Sequence, residues 1–263
     1  MAETASFVEA AINANRDNFI RKTSAWAKAD PLFSVTELDG AIAVFSGSST
    51  DTFNVLALAR DTERKAFDII EDARSNIFGD NRFAVWSWQD GQLQALPVNN
   101  SAIDENLIMA AESDDLSEIP ESRTPLDVTM VKDPQHLMGV GQVTAAIFGE
   151  HDEGFMVQSV FAGQDENSLE KLPTKFLLAY EGGKAVSTAS YIHVDNVAGI
   201  YDVAVLPAQQ KKGIGSRMFD AILAAAIRDG AKAFTLQASP DGTGIYERAG
   251  FQTLGICWNL DIS

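Results

Sequence analysis

Gln210, Gly213 and Gly215, interleaved with Lys211, Lys212 and Arg217, have the types and spacing to hold one kind of group, a phosphate. They lie in Val203-Ala-Val-Leu-Pro-Ala-Gln-Gln-Lys-Lys-Gly-Ile-Gly-Ser-Arg217, which runs from an apolar strand through Gln-x-x-Gly-x-Gly into an amphipathic helix. Two glycines let the backbone fold tightly, so that the N–H groups from Lys211 through Ile214 to Ser216, and the positive end of the helix, converge on one spot. Three cations stand beside that spot in a chain of formal net charge -17. A Walker-type loop is absent, and the third glycine of a dinucleotide fingerprint is replaced by Met218.

The turn needs a strand before it and a helix after it. Ile214, Met218, Ile222, Leu223, Ala226 and Ile227 recur at three- and four-residue spacing and predict one buried helix face, ending at Arg228 and Gly230. A short apolar strand over 233–238 follows. Next comes Ser239-Pro-Asp-Gly-Thr-Gly-Ile-Tyr-Glu-Arg-Ala-Gly-Phe251, read as a short helix capped by Ser239 and ended by Gly250. Upstream, runs at 176–180 and 185–192 are joined by Glu181-Gly-Gly-Lys184, a tight hairpin, and a third run covers 199–205. Before these, 126–131 reads as a strand and 135–149 and 153–171 as helices.

This series resembles the GNAT superfamily of N-acetyltransferases, whose cofactor turn is Gln or Arg, two residues, Gly, one residue, Gly or Ala, and whose final helix carries Tyr-x-x-x-Gly-Phe, here Tyr246 to Phe251. The resemblance implies an α/β (α+β) fold with a mixed, mostly antiparallel sheet flanked by helices. It also implies acetyl-CoA as co-substrate, with its diphosphate on the amides of 211–216 and its pantetheine arm along the backbone of Val203, Ala204 and Val205. A bulge would splay that strand, leaving an N–H near Val205 to stabilise the oxyanion.

Acetyl transfer to an amine also needs a proton for the departing thiolate and a neutral nucleophile. Tyr246 is the candidate donor, since a phenol near pKa ~10 and a thiol near ~8.5 are well matched; the alternative is a tyrosine that only packs and hydrogen-bonds. Asp202 is the candidate base, with Tyr201 and His193 as rivals and water chains as a fourth route. His136 and His151 lack metal-ligand spacing and read as solvated. Trp86, Trp88, Phe155 and Phe161 are candidates for an acceptor pocket or plain core. The amine stays open among polyamine, aminoglycoside, amino acid and protein N-terminus. An acyl-CoA sensor without turnover is the alternative reading of the same turn.

With 263 residues, 46% of them hydrophobic, the chain has enough for one large or two ordinary domains. It shows no membrane-length apolar stretch and no signal-like opening, so a soluble cytoplasmic protein is expected, with no membrane or nucleic-acid partner and a homodimer left open. Cys257 reads as a small apolar filler. The acidic, proline-bearing stretch 112–121 reads as a linker, dividing 1–122 from 123–263. Phe83-Ala-Val-Trp-Ser-Trp-Gln-Asp-Gly91 and Phe234-Thr-Leu-Gln-Ala-Ser-Pro-Asp-Gly242 share Phe and Asp-Gly at equal spacing. The same offset sets 53–58 and 61–77 against the cofactor strand and helix. A degenerate duplication is therefore expected, in which Asp61-Thr-Glu-Arg-Lys65 replaces the glycine turn and only 123–263, a complete domain by itself, binds cofactor.

Overall fold

The computed structural model describes residues 2–60, 62–99, 102–116, 126–149, 151–239 and 242–263. Asp61, residues 117–125, which include the second half of the acidic linker 112–121, and Pro240-Asp241 lie outside the described residues.

A 28-residue stretch without glycine or proline opens the chain as α1 (Ala2–Ala29). The first half continues with β1 (Ser34–Leu38), β2 (Ala41–Phe45), β3 (Val55–Leu58), α2 (Ala66–Ala73), β4 (Phe83–Ser87) and β5 (Ile103–Glu112). The second half holds β6 (Asp127–Met130), α3 (Pro134–Phe148), α4 (Asp152–Ala162), α5 (Glu166–Lys171), β7 (Lys175–Glu181), β8 (Lys184–Val194) and β9 (Val197–Val205). It ends with α6 (Ile214–Arg228), β10 (Ala233–Ala238), α7 (Thr243–Arg248) and β11 (Gln252–Ile262).

The eleven strands among the described residues form one sheet in the order β1-β2-β3-β4-β11-β5-β10-β9-β8-β7-β6. Pairing is antiparallel except at β3–β4 and β9–β10. The mixed, mostly antiparallel sheet flanked by helices is the expected architecture. Its closure differs from the expectation that 123–263 is complete alone. The first half's β5 lies between β10 and β11, and β11 reaches across to pair with β4. Each half therefore supplies the strand that covers the other's exposed edge.

Most elements of the second half fall where their apolar spacing puts them. The hairpin β7–β8 turns on Gly182 and Gly183, both at positive φ, as a two-residue hairpin requires. Three local readings need correction. The helix over 153–171 is two, because Asp165 caps a fresh start by accepting from Ser168 N–H at 2.8 Å. Ile227 is 43% exposed; Phe219 takes its place on the buried face of α6. Ser239 does not cap α7: Gly242 is the N-cap and donates its N–H to the Ser239 carbonyl, a turn ahead of the helix.

β4 pairs in parallel with β3 as β10 does with β9, but the offset set by the shared Phe and Asp-Gly does not carry back to β3. Ala84 faces Val55, whereas its counterpart Thr235 faces Gly199, so β3 aligns with the start of β9 and not with the strand end before the cradle.

Candidate active site

β9 and β10 pair only over Val197–Gly199 and Ala233–Thr235, and then diverge. Past that point β9 stays attached to β8 as far as Val205↔Ser187, and β10 to β5 as far as Ala238↔Leu107. A wedge opens between them, widening into a cleft of about 790 Å³, within the range of ligand sites.

The divergence has two local causes. The β8–β9 register shifts between Thr188↔Ala204 and Ser190↔Tyr201, and Asp202 at the bulge has φ +54, a conformation that bends the strand. On the other side α1 presses on the apex. Buried Asn15 donates its amide to Thr235 Oγ1 (2.8 Å) and Leu236 O (3.1 Å), and a Cβ on Gly199 would meet Asn18 Cβ at 2.8 Å. This close approach explains the glycine at 199.

The glycine turn lies at the open end of the wedge. Pro207–Gln209 make a 3₁₀ turn, Lys211 has φ +62 and Gly213 φ +75, and α6 begins at Ile214 with Gly213 as N-cap and no side-chain cap. The first amide bonded back into the helix is that of Arg217, to Gly213 O at 3.2 Å, so those of 214–216 precede the helix's own ladder. The two glycines act differently. Gly213 is required by its backbone angle, whereas a Cβ on Gly215 would meet only Ile245 and Val205 at 3.6 Å, ordinary contact. Residue 215 can therefore be small for the sake of a ligand, which need not be true of 213.

Gln210, Lys211, Gly213, Gly215 and Ser216 line the cleft together with Val203, Ala204, Val205, Asp202 and Tyr246. Lys212 turns aside and donates to Gln209 Oε1 at 2.6 Å, and the Ile214 side chain is buried under α6. Leu206 N–H goes to Val186 O on β8, so by strand alternation Val205 presents its N–H and C=O to the wedge. Gln210 Nε2 already donates to that carbonyl at 3.3 Å. These features fit a diphosphate followed by an extended amide-bearing arm.

The Tyr246 ring packs on Phe219 at 4.9 Å between centroids and on Phe251, and burial raises its phenol above the ordinary value. It lies on the cleft wall with its hydroxyl favoured in the protonated form. Asp202 also faces the cleft, but its carboxylate is engaged by Lys22 Nζ at 2.7 Å and Ser190 Oγ at 2.5 Å. The Tyr201 hydroxyl is buried without a partner: the neighbouring Gln237 amide is committed to Asn15 at 2.7 Å, and burial, then the Asp202 charge, pushes the phenol well up. His193 is not part of the cleft. It sits across from Ala198 near the other end of β9, where burial lowers its pKa below the ordinary imidazole value. His136 pairs with Asp133 at the start of α3, His151 is exposed, and no metal-binding group occurs among the described residues. Cys257 is fully buried in β11, with its thiol pushed up to about 12 by burial.

Beside the cleft, and sharing Lys22, Thr144, Phe148 and Asp202 with it, lies a smaller cavity of about 120 Å³ walled by Trp26, Phe53, Phe161 and Phe176. Of the aromatic candidates only Phe161 lies there. Trp86 and Trp88 pack on Phe19 away from it, and Phe155 is 61% exposed. Sequence reasoning missed Lys22, Trp26 and Phe53, which reach the site from the first half; the apolar spacing of Ile12, Phe19 and Trp26 in an unbroken helical stretch was the available signal.

A bulged strand splayed from a parallel neighbour, with a glycine-turn helix at the opening, leaves main-chain donors facing one cleft. Residues 147–256 match the family model described as an acetyltransferase (GNAT) domain. A Bacillus subtilis (strain 168) protein described as a candidate acetyltransferase is 25% identical over 136 residues, 52% of this chain and 90% of its own length. A GCN5-related N-acetyltransferase from Kribbella flavida is similar in fold, with TM-score 0.61 and 16% identity over 92% of this chain and 94% of its own. A functionally unknown conserved protein from Staphylococcus epidermidis ATCC 12228 gives 0.59 and 16% over 86% and 92%. The fold likeness thus extends beyond the second half. No helix among the described residues is long and apolar enough to cross a membrane.

Proposed function

We propose that the chain transfers an acetyl group from acetyl-CoA to a primary amine by direct attack in a ternary complex. The observation that carries this reading is the β9–β10 wedge, with uncapped amides at one end and the Tyr246 phenol on its wall. The amides of 214–216, with Lys211 beside them, would hold the diphosphate, and the wedge-facing edge of Val203–Val205 would align the pantetheine arm. The Val205 N–H would stabilise the negative charge that develops on the carbonyl oxygen. Tyr246 would give its proton to the thiolate as it leaves. Asp202, tied to Lys22, would take the amine's proton through water rather than by direct contact.

The acetyltransferase family match favours turnover over an acyl-CoA sensor. We also propose that 1–122 is a reduced copy of 123–263 and that only the second holds cofactor. Free thiol released from acetyl-CoA, followed with a panel of primary amines, tests the activity. Amine-dependent release with an acetylated product on mass spectrometry is expected; tight coenzyme binding with no amine-dependent release overturns it in favour of the sensor.

A further inference from the structure

The cavity next to Asp202 is apolar in a way that selects among amines. Its walls are aromatic, with Trp26 edge-on to Phe161 at 5.1 Å and to Phe53 at 6.0 Å, and Phe161 edge-on to Phe176 at 5.7 Å. Rings packed by their edges give this part of the wall a mainly apolar surface. The cavity's volume of about 120 Å³ approaches the roughly 150 Å³ that takes a benzene ring.

Charge at the cavity is balanced and already used. Lys22 and Asp202 are the only charged residues lining it, among those described, and they pair with each other at 2.7 Å. A polyamine or aminoglycoside pushed inward would bring further ammonium groups among rings with no spare carboxylate, at a large desolvation cost. An aromatic cage for a cation is disfavoured by the Lys22 ammonium in the same wall. Besides that pair, the polar lining is four threonines, Thr23, Thr52, Thr144 and Thr174; Thr144 lines both spaces, and its Oγ1 is buried without a partner. It can accept from one amine N–H while the body of the molecule lies among the rings. Phe148 and Ile147, 40% and 48% exposed, extend the apolar surface to the cleft mouth.

We propose that the acceptor is a primary amine on one compact apolar body, an aromatic ring or a branched alkyl group, which enters the Trp26–Phe53–Phe161–Phe176 cavity and leaves its nitrogen beside Asp202 and the acetyl group. This rests on the acetyltransfer reading and narrows it. Amines and apolar amino acids share the chemistry, and the test separates them.

The experiment compares kcat/KM for phenethylamine, isoamylamine, L-phenylalanine, L-leucine, methylamine, spermidine and a trimethylammonium-bearing amine, with the undivided 263-residue chain and saturating acetyl-CoA. Phenethylamine or isoamylamine, or their amino-acid counterparts, should exceed methylamine and spermidine by about 30-fold, the usual range for filling an apolar pocket. Thr52, partly exposed on the loop between β2 and β3, lines this cavity and not the cofactor cleft. Thr52→Leu should therefore lower the preference for phenethylamine over methylamine about tenfold, with acetyl-CoA affinity by calorimetry unchanged. Preference for spermidine or the trimethylammonium amine, or a Thr52→Leu protein with unaltered selectivity, overturns the inference and leaves acetyl transfer standing. No thiol release with any amine overturns both.

Discussion

The two parallel strand pairs of the sheet show what separates a closed seam from a binding cleft. β3 holds β4 over Val55–Ala57, three of its four residues, and all four are buried. β9 holds β10 over three of nine, bulges at Asp202, and presents the rest of its length to a cleft. The turns that follow differ in the same sense. After β9, glycine at φ +75 leaves the amides of 214–216 without a side-chain cap. After β3, Lys65 in extended conformation starts α2, and Arg64 spends its guanidinium on neighbouring elements, on Asp39 O of the β1–β2 turn at 3.1 Å and on Asp68 O and Asp72 Oδ2 of α2 at 3.3 Å. One seam is consumed by its own hydrogen bonds; the other is left with surplus donors.

The halves nevertheless depend on each other. Residues 123–263 expressed alone would lose β5, leaving β10 and β11 each with an unpaired edge, and would also lose α1, whose Asn15 holds the wedge apex. The fragment is expected to be insoluble, or to lack a cooperative melting transition by calorimetry. A well-folded fragment that binds coenzyme would make the interleaved strands dispensable and the halves independent.

Within the intact chain, Tyr246→Phe should cost the most. Loss of a proton donor lowers kcat about 100-fold, while acetyl-CoA affinity stays level because the ring still packs on Phe219. Burial raises the phenol, so the wild-type proton remains in place below its ordinary titration, and any alkaline fall in kcat caused by Tyr246 should begin only above about pH 10. A fall already present near pH 8 would assign the donor elsewhere.

Gly215→Glu imports the character of the first half's turn into the second. The added Cβ fits, so folding is spared, and the carboxylate faces the diphosphate position; acetyl-CoA should bind about 30-fold more weakly by calorimetry. Unchanged affinity would remove the diphosphate from this turn. Gly213 is a poorer probe because its positive φ adds backbone strain to any substitution.

The second half was legible because its signals are local. Gln210 to Ser216, the α6 face and the paired hairpin glycines each declare themselves within a few residues. What escaped depends on contacts far apart in sequence. The exchange of β5 and β11 leaves no trace in strand periodicity, since each strand keeps its pattern whichever neighbour it has. Asp202 could be placed beside the cofactor strand, yet its partner Lys22 is 180 residues away and nothing near Asp202 announces it. The acceptor cavity draws Trp26 and Phe53 from elements that single-strand reading treats as ordinary core. The constant offset between halves failed for a related reason: β9 continues past its pairing with β10, and β3 does not.

The smallest effect expected is also the one that isolates the comparison. Arg64→Met removes the guanidinium from the first half's turn. Its partners Asp39 O and Asp68 O are in exposed settings and its ion pair with Asp72 is about one-third exposed, so screening leaves a stability loss of at most about 1 kcal/mol in chemical denaturation. If that turn is only structural, acetyl-CoA affinity and kcat should both stay within about twofold, because none of its described residues lines the cofactor cleft. A tenfold loss of coenzyme affinity would mean that Arg64 serves an anion after all, and the contrast between a closed first seam and an open second one would have to be given up.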